Sequence, residues 1–193
     1  MKNKIKSIIL DNLKTLLIAL FIAIIIRSLI IQPFYIPSSS MEPNLLVGDR
    51  IFVTKYSYGY SKHSFPFSPN FSDKRFFSKN PQQGDLVVFK TPADNRTDYI
   101  KRLIGLPGDQ IQFINGELII NGNKINREPI DSLEPIRCGN FLLKTNTYVE
   151  TLPNGVRHLA TYSKEGTLQN TKKYIVPKNH YFLMGDNRDC SKD

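Results

Sequence analysis

Every residue from position 16 to position 26 is apolar, and after Arg27 and Ser28 the run resumes with Leu29, Ile30 and Ile31. As an α-helix, residues 16–31 rise about 24 Å, and residues 13–33 approach the roughly 30 Å hydrocarbon thickness of a bilayer. Arg27, near one end, can carry its guanidinium to the headgroups on its long stem. A cleaved secretory signal has a shorter apolar core, about 7–15 residues, followed by a small-x-small site. Here Gln32-Pro33-Phe34-Tyr35-Ile36 follows instead. Residues 1–33 are therefore expected to form a short cytoplasmic terminus and an uncleaved transmembrane anchor. Lys2, Lys4, Lys6 and Lys14 precede the span. By the positive-inside rule they keep the N-terminus in the cytoplasm and leave everything after about Gln32 on the outer face.

Beyond the anchor the pattern predicts a mainly β domain over residues 34–193, built as an antiparallel sheet. Strands are expected at 50–55, 85–90, 99–104, 111–114, 117–120, 141–150, 156–162 and 180–184. Asn115-Gly116 is the strongest short hairpin signal, and Asn121-Gly122 marks a second turn. No long amphipathic helix and no internal repeat follows the anchor. Residues 56–83 form an aromatic-rich insertion, with His63, Phe65, Phe67, Phe71, Phe76 and Phe77 among Ser, Pro and Lys. Its length and apolar content fit either an interfacial contact with lipid or a loop folded back onto the sheet.

Hydrophobic residues make up 40% of the 193 and charged residues 22%, enough for one core plus the anchor. Four of the nine net positive charges lie within the first 31 residues, and the others are spread thinly. Nucleic-acid binding would concentrate them on one face, so attraction to anionic lipid is the simpler reading. Cys138 and Cys190 are the two cysteines. With no CxxC pair, a zinc or redox site is not expected, and whether they pair in a disulfide is left open.

Just past the anchor stands Pro37-Ser38-Ser39-Ser40-Met41-Glu42-Pro43. A serine hydroxyl needs a base to act as a nucleophile. No Gly-x-Ser-x-Gly elbow occurs, and His63, His158 and His180 have no distinctive setting. The remaining arrangement is Ser-Lys, in which a neutral amine takes the proton. Such a lysine belongs among apolar side chains, which disfavour its charged form. Lys101, within Tyr99-Ile100-Lys101-Arg102-Leu103-Ile104, has that setting, although a solvated strand lysine is the commoner case.

Four segments then resemble, in order, the conserved boxes of bacterial type I signal (leader) peptidases. They are the serine run, Gly84-Asp-Leu-Val-Val-Phe89, Tyr99-Ile-Lys-Arg102 with Gly105-Leu-Pro-Gly-Asp109, and Gly185-Asp-Asn-Arg-Asp189. The resemblance implies a membrane serine endopeptidase that removes signal peptides from secretory preproteins at the outer (periplasmic) face of the bacterial inner membrane, with no metal or cofactor and no nucleic-acid partner. Ser40 would be the acylated nucleophile, Lys101 the general base, Ser38 an oxyanion donor and Ser191 the residue that orients the lysine. Phe34, Ile36, Met41, Leu45 and Ile100 would line shallow pockets for the substrate's acyl side. Strands around Phe34 to Pro37 and around Asp98 to Lys101, including Tyr99, would grip an extended substrate by backbone pairing. The turn at 105–109 and the segment 185–189 would be structural, with Asp186, Arg188 and Asp189 as buttresses.

Two positions depart from the family pattern. Ser39 stands where glycine is common, which would strain the backbone by about 1 kcal/mol if φ there were positive, and Cys190 stands where asparagine is frequent. Family members usually continue with a Ser-Arg-aromatic stretch, whereas this sequence stops at Asp193, so Ser191 is expected near a free end. The alternative is then an inactive, tethered β-domain that binds preproteins or partners. A self-cleaving repressor-type Ser-Lys protease would carry a DNA-binding domain in place of the apolar run.

Overall fold

The computed structural model describes residues 2–70, 72, 74–130, 135–139, 141–163 and 169–191. Phe71 lies outside them. The chain divides into two units, one of residues 1–34 and 50–80, the other of residues 35–49 and 81–193.

The first unit contains α1 (Lys2–Leu29), which is long and apolar enough to cross a membrane and leaves its large apolar side chains exposed. The helix ends earlier than residue 31, and Ile31 already begins β1 (Ile31–Tyr35). Pro33 explains this, because a residue preceding proline is driven out of the α region. The missing length lies at the N-terminal end, so the 28 residues rise about 42 Å. β1 pairs with β2 (Arg50–Thr54). Lys55 N–H donates to the Ile30 carbonyl at 2.9 Å, and the Tyr60 hydroxyl donates to that of Leu29 at 2.9 Å. The aromatic-rich stretch keeps Phe67 and Phe77 almost wholly exposed.

The second unit holds the other strands: β3 (Leu86–Lys90), β4 (Asp98–Gly105), β5 (Gln110–Ile114), β6 (Glu117–Ile120), β7 (Asn123–Lys124) and β8 (Asn126–Ile130). They are followed by β9 (Ile136–Cys138), β10 (Phe141–Leu143), β11 (Thr145–Thr151), β12 (Arg157–Ser163), β13 (Tyr174–Ile175) and β14 (Phe182–Met184). The sheets run β14-β4-β3, β13-β5-β6-β7, β12-β11-β8 and β10-β9. Every strand pairing in this unit is antiparallel, so the mainly β, antiparallel expectation holds. Asn115 and Gly116 both have positive φ, 49° and 73°, as a tight hairpin turn requires. That turn sets the register of β5 on β6, placing Phe113 opposite Leu118 and Ile111 opposite Ile120. All four side chains are buried and alternate with half-buried or exposed neighbours, each contributing about 1.5–3 kcal/mol of burial. They join Ile104, Ile125, Leu152, Ala160, Tyr162, Val176 and Met184 in one core.

Residues 141–150, expected as one strand, form two. Phe141–Leu143 pairs with β9, and after Lys144 the chain pairs with β12 and β8. The last strand starts at Phe182 rather than at 180, because His180 N–H closes a turn on the Pro177 carbonyl.

A polar layer is buried beside this core. Arg188 donates to Glu150 at 2.6 Å and to the Tyr162 hydroxyl at 3.1 Å, and His158 Nε2 lies 3.4 Å from Glu150. Burial alone would raise the Glu150 pKa. The Arg188 guanidinium, aided by hydrogen bonds from His158 and Tyr162, outweighs burial and brings it from 4.5 to about 2. Burial, together with the Glu150 carboxylate, pushes the Tyr162 hydroxyl well above its usual value. Because the folded pKa of Glu150 lies below the unfolded one, its stabilisation is complete above about pH 4.5 and is lost as pH falls toward about 2. Thermal denaturation should therefore show a steeper loss of Tm across that window in the unmodified chain than in Glu150→Gln. Arg188→Met, which strands the carboxylate, should cost about 3–5 kcal/mol at neutral pH.

Candidate active site

Ser40 sits in a one-turn 3-10 helix, Ser39–Met41. The chain enters from an extended Ser38 (φ −135°, ψ 155°) and leaves through an extended Glu42 (φ −65°, ψ 143°). Pro43 requires that extension of the residue before it, so the helix cannot propagate. Met41 is fully buried and anchors the turn, while Ser40 is half-buried and Ser38 exposed. The Ser38 and Ser40 hydroxyl oxygens lie 3.3 Å apart. Ser39 adopts no positive φ, so the strain that a glycine-requiring position would impose is absent.

Lys101 occupies β4 opposite Val87 of β3 and is only 4% exposed. Its ammonium donates to the Ser191 hydroxyl and lies 6.0 Å from the centre of the Tyr99 ring. The next residue, Arg102, is also buried; Nε and Nη2 each donate to the Asp186 carboxylate at 2.7 Å, and Nη1 donates to the Gly84 carbonyl at 2.8 Å. Asn44 donates to the same carboxylate at 2.7 Å. Asn187 then clasps the serine turn, its backbone N–H on the Ser40 carbonyl and its side-chain amide on that of Ser39, both at 3.1 Å.

Gly185 brings the serine turn and the lysine's partner together. A Cβ built at that position would stand 2.5 Å from the Ser40 carbonyl oxygen and 2.5 Å from the Ser191 Cβ. The glycine is thus needed for close approach on both sides. The turn expected at 105–109 is present, with Asp109 N–H donating to Leu106 O at 3.0 Å and the Asp109 carboxylate accepting from Leu106 N–H at 2.7 Å.

The remaining expected substrate contacts are placed as follows. Ile36 and Met41 are buried, Leu45, Tyr99 and Ile100 are half-buried, and Pro37 is exposed. Phe34 belongs to the first unit. β4 pairs along Asp98–Arg102 with β3, but β14 on its other side reaches only to Arg102. Among the described residues, Asp98 to Ile100 therefore face no strand on the β14 side. Sequence reasoning missed Asn44 and the Glu150 and His158 partners of Arg188, and it left open the Cys138–Cys190 disulfide that the structure contains. Arg102 gave the one usable signal, since a second cation in an apolar strand calls for a buried anion.

The serine turn is held by Asn187 and a buried lysine by Ser191, within an antiparallel β unit of a chain that also carries one apolar helix, an arrangement that fits a serine endopeptidase. Comparison with known proteins narrows the class. The family model for signal peptidase, peptidase S26, matches residues 9–193. Signal peptidase I of Rickettsia typhi is 44% identical over 183 residues, covering 89% of this chain and 67% of that protein. The Rickettsia prowazekii enzyme is 42% identical over 182 residues, with the same coverage. That of Rickettsia bellii is 40% identical over 190 residues, covering 93% of this chain and 64% of the relative. The chain thus spans about two thirds of the length of these relatives, and it belongs to the signal peptidase, peptidase S26 family.

Gly185→Ala tests the central packing. The added methyl must displace backbone at Ser40 or the Ser191 side chain, so it should destabilise the fold by about 1–3 kcal/mol. Denaturant unfolding beside the unmodified chain measures the difference.

Proposed function

We propose that this chain removes signal peptides from secretory preproteins by a Ser-Lys mechanism centred on Ser40 and Lys101. The observation that carries the reading is the burial of Lys101, with Ser191 accepting its hydrogen bond, on the strand next to the segment that clasps the Ser40 turn. Lys101 as a neutral amine takes the Ser40 proton while Ser40 Oγ attacks the scissile carbonyl. The oxyanion that forms is stabilised by the Ser40 backbone N–H and the Ser38 hydroxyl, donors worth a few kcal/mol in the transition state. When the carbon–nitrogen bond breaks, the Lys101 ammonium returns the proton to the leaving amine, leaving an ester on Ser40. Lys101 then takes a proton from water as the water oxygen attacks the ester carbonyl, and returns it to Ser40 Oγ when the bond from that oxygen to the acyl carbon breaks, releasing the acyl group as a carboxylic acid. Ser191 fixes the amine throughout.

The absence of a β14 partner along Asp98 to Ile100 among the described residues supports recognition by β-augmentation, in which main-chain hydrogen bonds supply affinity and side-chain pockets supply choice. Ile36, Pro37, Met41, Leu45, Tyr99 and Ile100 are the proposed contacts for the acyl-side residues. The domain assignment follows: an anchor over residues 1–33, a peptidase domain over 34–193 and an insertion at 56–83. A Cys138–Cys190 disulfide favours an oxidising compartment. With the basic N-terminus it supports a cytoplasmic start and a peptidase domain on the outer face of the bacterial inner membrane. Exposed Phe52, Phe67 and Phe77, in the same unit as the apolar helix and as Lys62, Lys74 and Arg75, support contact with lipid. The binding-only alternative has no such support, since the relatives carry the name of a peptidase.

Cleavage of a preprotein by the chain in detergent micelles tests the mechanism. Ser40→Ala and Lys101→Met should each lower kcat by on the order of a thousandfold or more. Ser38→Ala should lower kcat about 100-fold with little change in KM. Full activity in Lys101→Met would refute the dyad.

A further inference from the structure

Ser191 holds Lys101 through a hydroxyl, so the aim of the lysine depends on what fixes the residues before Ser191. Asp186 accepts the Thr161 N–H on its carbonyl at 2.9 Å, and the Arg188 N–H donates to the Thr161 carbonyl at 3.0 Å. The Asp189 carboxylate accepts the Ser163 N–H at 2.8 Å. Cys190, directly before Ser191, is fastened covalently to Cys138, their Cα atoms 5.6 Å apart. Cys138 ends β9, which pairs with β10 and lies against the serine turn. The buried Ser39 side chain completes the link, with Oγ 3.4 Å from the Cys190 sulfur. A disulfide sulfur carries no proton, so Ser39 is the donor. The neighbour of Ser40 thus touches the neighbour of Ser191.

We propose that the Cys138–Cys190 disulfide, with Ser39, is a positioning element of the peptidase site. It keeps Ser191 on Lys101 and keeps the serine turn in register with both. This rests on the Ser40–Lys101 reading. Ser39 and Cys190, the two positions read above as departures from the resemblance, are the two that meet here. A crosslink that only constrained the unfolded chain would change the folded fraction. One that positions a base changes kcat in the folded enzyme, since a displacement of about 1 Å can cost a hundredfold.

The test uses the full chain in detergent micelles with a preprotein substrate, below the melting temperature and with circular dichroism monitored. Dithiothreitol delivers two electrons and two protons to the disulfide, yielding the Cys138 and Cys190 thiols and its own cyclic disulfide. Reduction should lower kcat about ten- to a hundredfold while KM changes less than about twofold, and reoxidation by glutathione disulfide should restore it. Cys138→Ser/Cys190→Ser should share the low kcat and ignore dithiothreitol. Should that variant fail to fold, reduction of the unmodified protein carries the test. Ser39→Ala, which retains the bond, should lower kcat about threefold or more, and an unchanged kcat would remove Ser39 from the proposal. Undiminished kcat in the reduced, folded enzyme, or a loss confined to KM, would overturn the role of the disulfide. Parallel Ser40→Ala and Lys101→Met assays separate the failures. If they remain inactive while reduction has no effect, only the positioning role falls; if they cleave normally, the dyad falls first.

Discussion

The carboxylate of Asp186 is the junction on which the site depends. It has no exposed surface, and such a charge persists in a protein interior only when paired and hydrogen-bonded. Arg102 supplies two parallel bonds from β4 and Asn44 a third from the loop after the serine turn, each at 2.7 Å. The Asp186 carbonyl meets β12 through Thr161. One side chain thus joins the strand bearing Lys101, the segment bearing Ser40 and the segment bearing Ser191. The site inherits its geometry from the core rather than from its own loops.

Two residues further, Arg188 repeats the device with the charges exchanged. There the buried cation belongs to the segment and the carboxylate, Glu150, to β11. Asp186 and Arg188 therefore fix residues 185–189 from both signs of charge, and Asn187 between them reaches the serine turn. Networks of this kind gain strength from the low dielectric around them but tolerate no missing member. The hydrophobic core supplies cohesion, and the polar layer supplies the particular alignment.

Local chemistry was readable in the sequence, and pairing was not. The hairpin at Asn115-Gly116 and the apolar helix announce themselves because their signals lie within a few neighbouring residues. β8 was missed because Pro129 argues against a strand, yet β8 is the edge of its sheet, where a missing N–H costs little. The break at Lys144 was invisible because it marks a change of partner, from β9 to β12 and β8, and not a change of composition. In the site, Ser40 and Lys101 stood out through chemistry and resemblance. Asn44, His158 and Glu150 did not, since their importance comes from residues more than a hundred positions away or from burial across a sheet. Ser39 looked like a defect in its family position and instead has a donor's place beside Cys190.

Substrate pairing along Asp98 to Ile100 of β4, as proposed, would have a consequence of another kind. Main-chain donors and acceptors are the same for every residue but proline, so a ladder edge cannot tell one extended polypeptide from another. Under the proposed pairing, discrimination along Asp98 to Ile100 would be steric, set by the size of side chain that fits beside a half-buried Ile100, and logistic, set by which chains are delivered there in extended form. A signal peptide held in a bilayer meets the second condition by its own anchorage. Segments already folded do not, and a peptidase with an indiscriminate edge could in this way coexist with its own backbone.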